Sequence, residues 1–242
     1  MANRYHLEIL KLIQENAGKP KRDEFLSGYM GNNHVRYDLT NPVLREIAKE
    51  WMRAHRDMEP EAFAAVLDSL IKAESSTEKM MAGILMDYSS KPQREFDPDI
   101  FDEWLGHLVG WAEVDTLCTG EFVRTQLPAH WPKWKKLILK LSKDSNINKR
   151  RASLVLFCSP LSRIKDDAIG EVALDVVTKL RAEKEVMITK AISWVLRSMI
   201  KYYRDKVSTY VDKNMNALPR IAVRETLVKL DTGRKTKSRA PR

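Results

Sequence analysis

The 242 residues are 43% hydrophobic, enough for one sizeable domain or two small ones. Only 9 Gly and 10 Pro punctuate them, which argues against a strand-rich fold with its frequent turns and leaves long helices. Lys and Arg outnumber Asp and Glu by 42 to 33, and the resulting +9 suits a polyanionic partner without requiring one.

Helical periodicity recurs along the chain. It predicts helices near 3–16, 22–31, 41–56, 60–73, 76–90, 98–109, 112–126, 131–143, 146–158, 166–182, 186–204 and 206–230, the last broken near Pro219. The opening MANRYHLEILKLIQENAGK holds no uninterrupted apolar stretch, so no signal peptide is expected. No run approaches a membrane span, and the expected compartment is cytoplasmic, nucleoid-associated if the source is bacterial. Asn41 before Pro42 marks one helix start, and Asp144 or Ser145 is a candidate cap for the helix near Ile147. Helix pairs recur at roughly 35–40 residues, the period of helical-pair repeats. The expected fold is therefore all-α: stacked antiparallel helix pairs forming a curved solenoid with a concave basic face. An irregular helical bundle is the competing architecture. Residues 1–230 are expected to form a single helical-repeat domain. Residues 231–242 hold five basic residues and one acid, and read as a basic, disordered tail.

Most familiar enzyme chemistries find no foothold. The histidines (His6, His34, His55, His107, His130) are scattered without ligand spacing, so no metal is expected. No Gly-rich phosphate loop points to a nucleotide cofactor, and no serine sits in a nucleophile elbow. Cys118 and Cys158 lack CxxC spacing and read as small buried side chains.

What stands out is a set of residues placed against the grain of their helices. In GWAEVDTLCTGEF, Val114, Leu117 and Cys118 set the core side, Asp115 lies at its margin, and Trp111 is its neighbour one turn earlier. The run 132–151 holds eight basic residues and one acid, with Trp134 interleaved and Lys133, Lys136 and Lys140 on one stripe. Arg151 falls in an apolar stripe with Ile147, Leu154, Val155 and Cys158, while Lys149 and Arg150 point outward. A guanidinium there needs a carboxylate or a phosphate, and either a structural ion pair or DNA would supply one. In KAISWVLRSMIKYY, Ile192, Val195, Leu196, Met199 and Tyr203 share the core face. Trp194 falls nearly opposite, with Lys190, Arg197 and Lys201 beside it. That ring either packs on aliphatic stems of a neighbouring repeat or meets bases while the cations meet phosphates.

These residues resemble the AlkD family of DNA alkylation repair glycosylases, built from HEAT-like repeats. The resemblance spans roughly residues 24–230 and rests on WAEVD (111–115), RASLVLF (151–157) and KAISWVLR (190–197). Weaker echoes lie in YMGNNH (29–34) and LTNPVLREIAKEW (39–51). It implies that Asp115 is the catalytic aspartate, that Trp111 and Trp194 flank the scissile nucleotide, and that Arg151 holds DNA beside them. Tyr29, Lys190 and Arg197 are expected DNA contacts. Gly110 stands where some members have another aromatic. The implied activity is metal-free and cofactor-free excision of cationic N3- or N7-alkylpurines from double-stranded DNA by a monomer, with the base left stacked. The alternative is a non-catalytic helical-repeat DNA-binding or scaffold protein.

Overall fold

The structure, a computed structural model, describes residues 3–235, the side chain of Leu26 excepted. Among them the chain is helical, broken only by turns and two isolated bridges, Lys21 with Arg36 and Val35 with Ser75. The all-helical class and the packing of helices in pairs are those the periodicity predicts. The chain forms two compact units, Met1–Phe122 and Val123–Arg242.

In the first unit the helices are α1 (Arg4–Ala17), α2 (Glu24–Met30), α3 (Asn41–Ala54), α4 (Pro60–Ile71), α5 (Ser76–Tyr88), α6 (Ile100–Gly106) and α7 (Gly110–Cys118). Helix α5 is buried nearly all round, as expected of a central helix packed on by α3, α4 and α7. Helix α8 (Gly120–Ala129) follows across the boundary. The sequence predicts one helix over 112–126, but the chain breaks at Thr119 and Gly120. Gly120 takes φ +92, and a Cβ there would sit 2.0 Å from the Asp87 carboxylate. That carboxylate accepts the Glu121 amide at 2.8 Å, so the start of α8 is capped from the end of α5.

The second unit holds α9 (Trp131–Leu141), α10 (Ile147–Val155), α11 (Cys158–Leu161), α12 (Asp167–Leu180), α13 (Val186–Asn214) and α14 (Arg220–Thr232). The cap of α10 is Asn146, whose side chain accepts the Asn148 amide, rather than Asp144 or Ser145. Asp144 instead accepts the amide of Asn146. Helix α13 is the hub, packed on by α10, α11, α12 and α14. It kinks at Tyr203 (φ −131, ψ 36), whose hydroxyl accepts the Asp166 amide at 2.6 Å. That kink is the interruption the sequence predicts between 204 and 206, and the second falls at Pro219, which precedes α14. Helix α14 ends at Thr232 with Gly233 as its left-handed cap, two residues into the predicted tail. Residues 236–242 lie outside the described residues. No described helix is long and apolar enough to cross a membrane.

Candidate nucleic-acid and catalytic site

A helix N-terminus leaves backbone N–H groups without intrahelical partners, and the first turn of α7 is fixed by side chains from elsewhere. Glu113, fully buried, reaches back to accept the Val109 amide at 2.8 Å through Oε2. Its Oε1 pairs with His34 Nδ1 at 2.8 Å. The Asn32 amide donates to the Val109 carbonyl at 3.2 Å. Trp111 Nε1–H donates to the Tyr29 carbonyl at 2.8 Å, and its ring meets the Tyr29 ring edge-on at 5.4 Å. Together these bonds clasp α7 to α2 and the loop after it.

Gly110 belongs to the same clasp. Its φ is +79, and a Cβ would lie 2.1 Å from the Met30 carbonyl oxygen. The backbone of α2 occupies the space an aromatic side chain would need, so glycine is the residue this junction accepts. Gly110 therefore opens α7 rather than closing the helix before it.

Trp111 and Asp115 are both half-buried and stand one turn apart on α7. Within the first unit the structure thus packs Tyr29 against Trp111, with Asp115 one turn further along α7. It also shows what the sequence reading misses: two scattered histidines are each bound to a buried carboxylate. Besides His34 on Glu113, His6 Nε2 pairs with Glu78 at 2.8 Å, and its Nδ1 meets Ser69 Oγ at 2.7 Å. Burial opposes ionisation of Glu78, but hydrogen bonds from His6 and Ser75 outweigh it and hold the carboxyl below its ordinary range. Lys79, buried alongside, donates to the carbonyls of Ile71 and His107 at 2.7 and 2.9 Å. Burial pulls its ammonium down, and the carboxylates of Glu113 and Glu78 counter that. No group of three or more His, Cys, Asp or Glu side chains suited to a metal occurs among the described residues.

In the second unit Arg151 is buried on α10, and its guanidinium donates to the Met187 carbonyl in the first turn of α13. Trp194 is half-buried on α13, with Lys190 exposed one turn before it. Lys201 is exposed and lies over the Tyr202 ring at 4.7 Å. Arg197 departs from the outward position its helical phase predicts. Its side chain is 12% exposed and pairs with Glu225 of α14 at 3.4 Å. Ser193 Oγ donates to Glu225 at 2.6 Å and accepts from Arg197 Nε at 3.1 Å. Burial lowers the Arg197 guanidinium, an effect Glu225 offsets in part. Arg197 is thus a brace between α13 and α14.

The basic run 132–151 also divides. Lys133, Lys135, Lys136 and Lys140 are exposed, whereas Trp134 turns into the core of its unit. Arg150 is held by both oxygens of Glu183 at 2.8 and 3.2 Å, and Lys149 by Asp144 at 3.6 Å. The outward direction predicted for these two cations is spent on ion pairs within the unit.

A family model described as DNA alkylation repair enzyme matches residues 11–230. The chain belongs to this family. Membership of the DNA alkylation repair enzymes carries a role in DNA repair and an enzymatic one. A solved structure described as a predicted DNA alkylation repair enzyme from Enterococcus faecalis shares the fold, with a TM-score of 0.67 at 17% identity. The match covers 84% of this chain and 92% of that one. No curated protein sequence matches the chain.

Proposed function

We propose that this DNA alkylation repair family member is a monofunctional DNA glycosylase acting on positively charged N3- and N7-alkylpurines in double-stranded DNA. The observation that carries the reading is the pairing of Trp111 and Asp115 one turn apart on a helix whose first turn is clasped in place. An alkylated purine carries a positive charge and leaves readily. As its bond to C1′ breaks, positive charge builds on the deoxyribose. The Asp115 carboxylate stabilises that charge and orients water. Water adds at C1′, its proton passes by way of the carboxylate to solvent, and the electron pair of the broken bond leaves with the now neutral base. An abasic site remains in the strand. The Trp111 face attracts the cationic base by about 0.5–2 kcal/mol, depending on how far the site is desolvated.

Tyr29 borders Trp111 in this reading. Lys190 and Trp194 supply DNA contacts from the second unit, Arg197 braces the helix that carries them, and Arg151, buried on the Met187 carbonyl, ties α10 to the first turn of that helix. Backbone contacts of this kind position the duplex without reading its sequence. The test is release of 3-methyladenine or 7-methylguanine from methylated duplex DNA by purified protein in a chelating buffer. Release of either base supports the proposal. Firm DNA binding with neither base released overturns it and favours a non-catalytic DNA-binding role.

A further inference from the structure

Helix α2 presents an aromatic face that the reading above uses only at one end. Phe25 and Tyr29 lie four residues apart and so share one side of the helix. Phe25 is 82% exposed and Tyr29 62%. Leaving a phenyl ring in water forgoes its burial, a cost that a surface with a partner recovers. Tyr29 meets Trp111 edge-on, so the aromatic surface continues from α2 onto the candidate site. Gly28 lies between the two rings in sequence, and a Cβ there would meet nothing within 4 Å. Next to it opens a hollow of about 450 Å³ lined by Ser27, Gly28, Asn32 and His34.

The flanking charge selects the occupant. Lys19, Lys21 and Arg22 precede the helix and are all exposed. Lys21 is paired with Asp38 at 3.0 Å, while Arg22 has no ion pair among the described residues. Two acids, Asp23 and Glu24, lie between these cations and Phe25. A second copy of this chain would meet the basic segment with its own net charge of +9. A nucleic-acid strand offers phosphates to the cations and π-faces to the rings.

We propose that Phe25 and Tyr29 form a stacking platform for a nucleobase of the bound DNA, with Arg22 on a neighbouring phosphate. The proposal rests on the DNA reading of Trp111 and extends its surface by a nucleotide. Because both side chains are exposed, Phe25→Ala and Arg22→Ala are expected to keep the wild-type melting temperature. Binding is measured by titrating duplex DNA, carrying 2-aminopurine near an abasic-site analogue, across a range of salt concentrations. Phe25→Ala should weaken binding about ten-fold and lose quenching of the probe base while keeping the salt slope. Phe25→Trp should restore both, and Arg22→Ala should lower the slope by about one. A Phe25→Ala protein that binds and quenches like wild type overturns the platform while leaving base release untouched. A concentration-dependent dimer abolished by Phe25→Ala, with DNA affinity unchanged, likewise overturns it in favour of self-association. Wild-type protein that binds no DNA overturns both this proposal and the one it rests on.

Discussion

Trp111 in the first unit and Trp194 in the second are held by different means. Trp111 stands in the first turn of α7, where the backbone ladder has not closed, so it depends on Glu113, His34, Asn32 and the Tyr29 carbonyl. Trp194 stands within α13, where the ladder already fixes the backbone, and only the helix itself needs bracing. That brace is the Ser193, Arg197 and Glu225 seam with α14. A residue at a helix end is thus exposed to the loss of one distant side chain. A residue in mid-helix is cushioned against it.

The largest effect should come from the clasp. Glu113→Ala deprives the Val109 amide and the half-buried His34 ring of the buried carboxylate that binds both, and should cost about 2–3 kcal/mol in urea unfolding. It should also slow base release, since the turn carrying Trp111 loosens. Glu225→Ala removes a pair that is 12% and 14% exposed and should cost about 1–2 kcal/mol. Its base-release rate per bound complex should stay near wild type. Equal losses of release rate in the two variants would erase the distinction between end-of-helix and mid-helix support.

Acid should separate the regions further. Glu78 is held below the ordinary carboxylate range in the folded protein, so it contributes stability above its unfolded pKa. That contribution is lost as pH falls through the lower folded value. Stability measured from neutral pH down to pH 3 should decline, and His6→Gln should flatten that decline. The smallest effect is expected at Arg150→Ala, whose pair with Glu183 is partly solvated and worth about 0.5–1 kcal/mol.

Much of this architecture is legible in the chain. The 3.6-residue period gives the helices, and the spacing of Trp111 and Asp115 places them on one side of α7. What escapes is whatever depends on a distant partner. His34 and Glu113 are 79 residues apart, so neither looks special alone. Glu113 does sit on a buried phase between Ala112 and Val114, and a charge in that position is the signal that points to a partner. The break at Gly120 needs Asp87 from another helix. Arg197 reads as outward by phase because the helix that covers it comes later in the chain. Arg151 does need a partner, as its buried position demands, and a backbone carbonyl is among those that meet it.

Stabilisation of the charge developing at C1′ is the role proposed for Asp115. Single-turnover release of 7-methylguanine by wild type and Asp115→Asn, with DNA affinity measured on the same substrate, tests it most directly. The variant should lose about a hundred-fold or more in rate at nearly unchanged affinity. An Asp115→Asn protein that releases the base at the wild-type rate would contradict it.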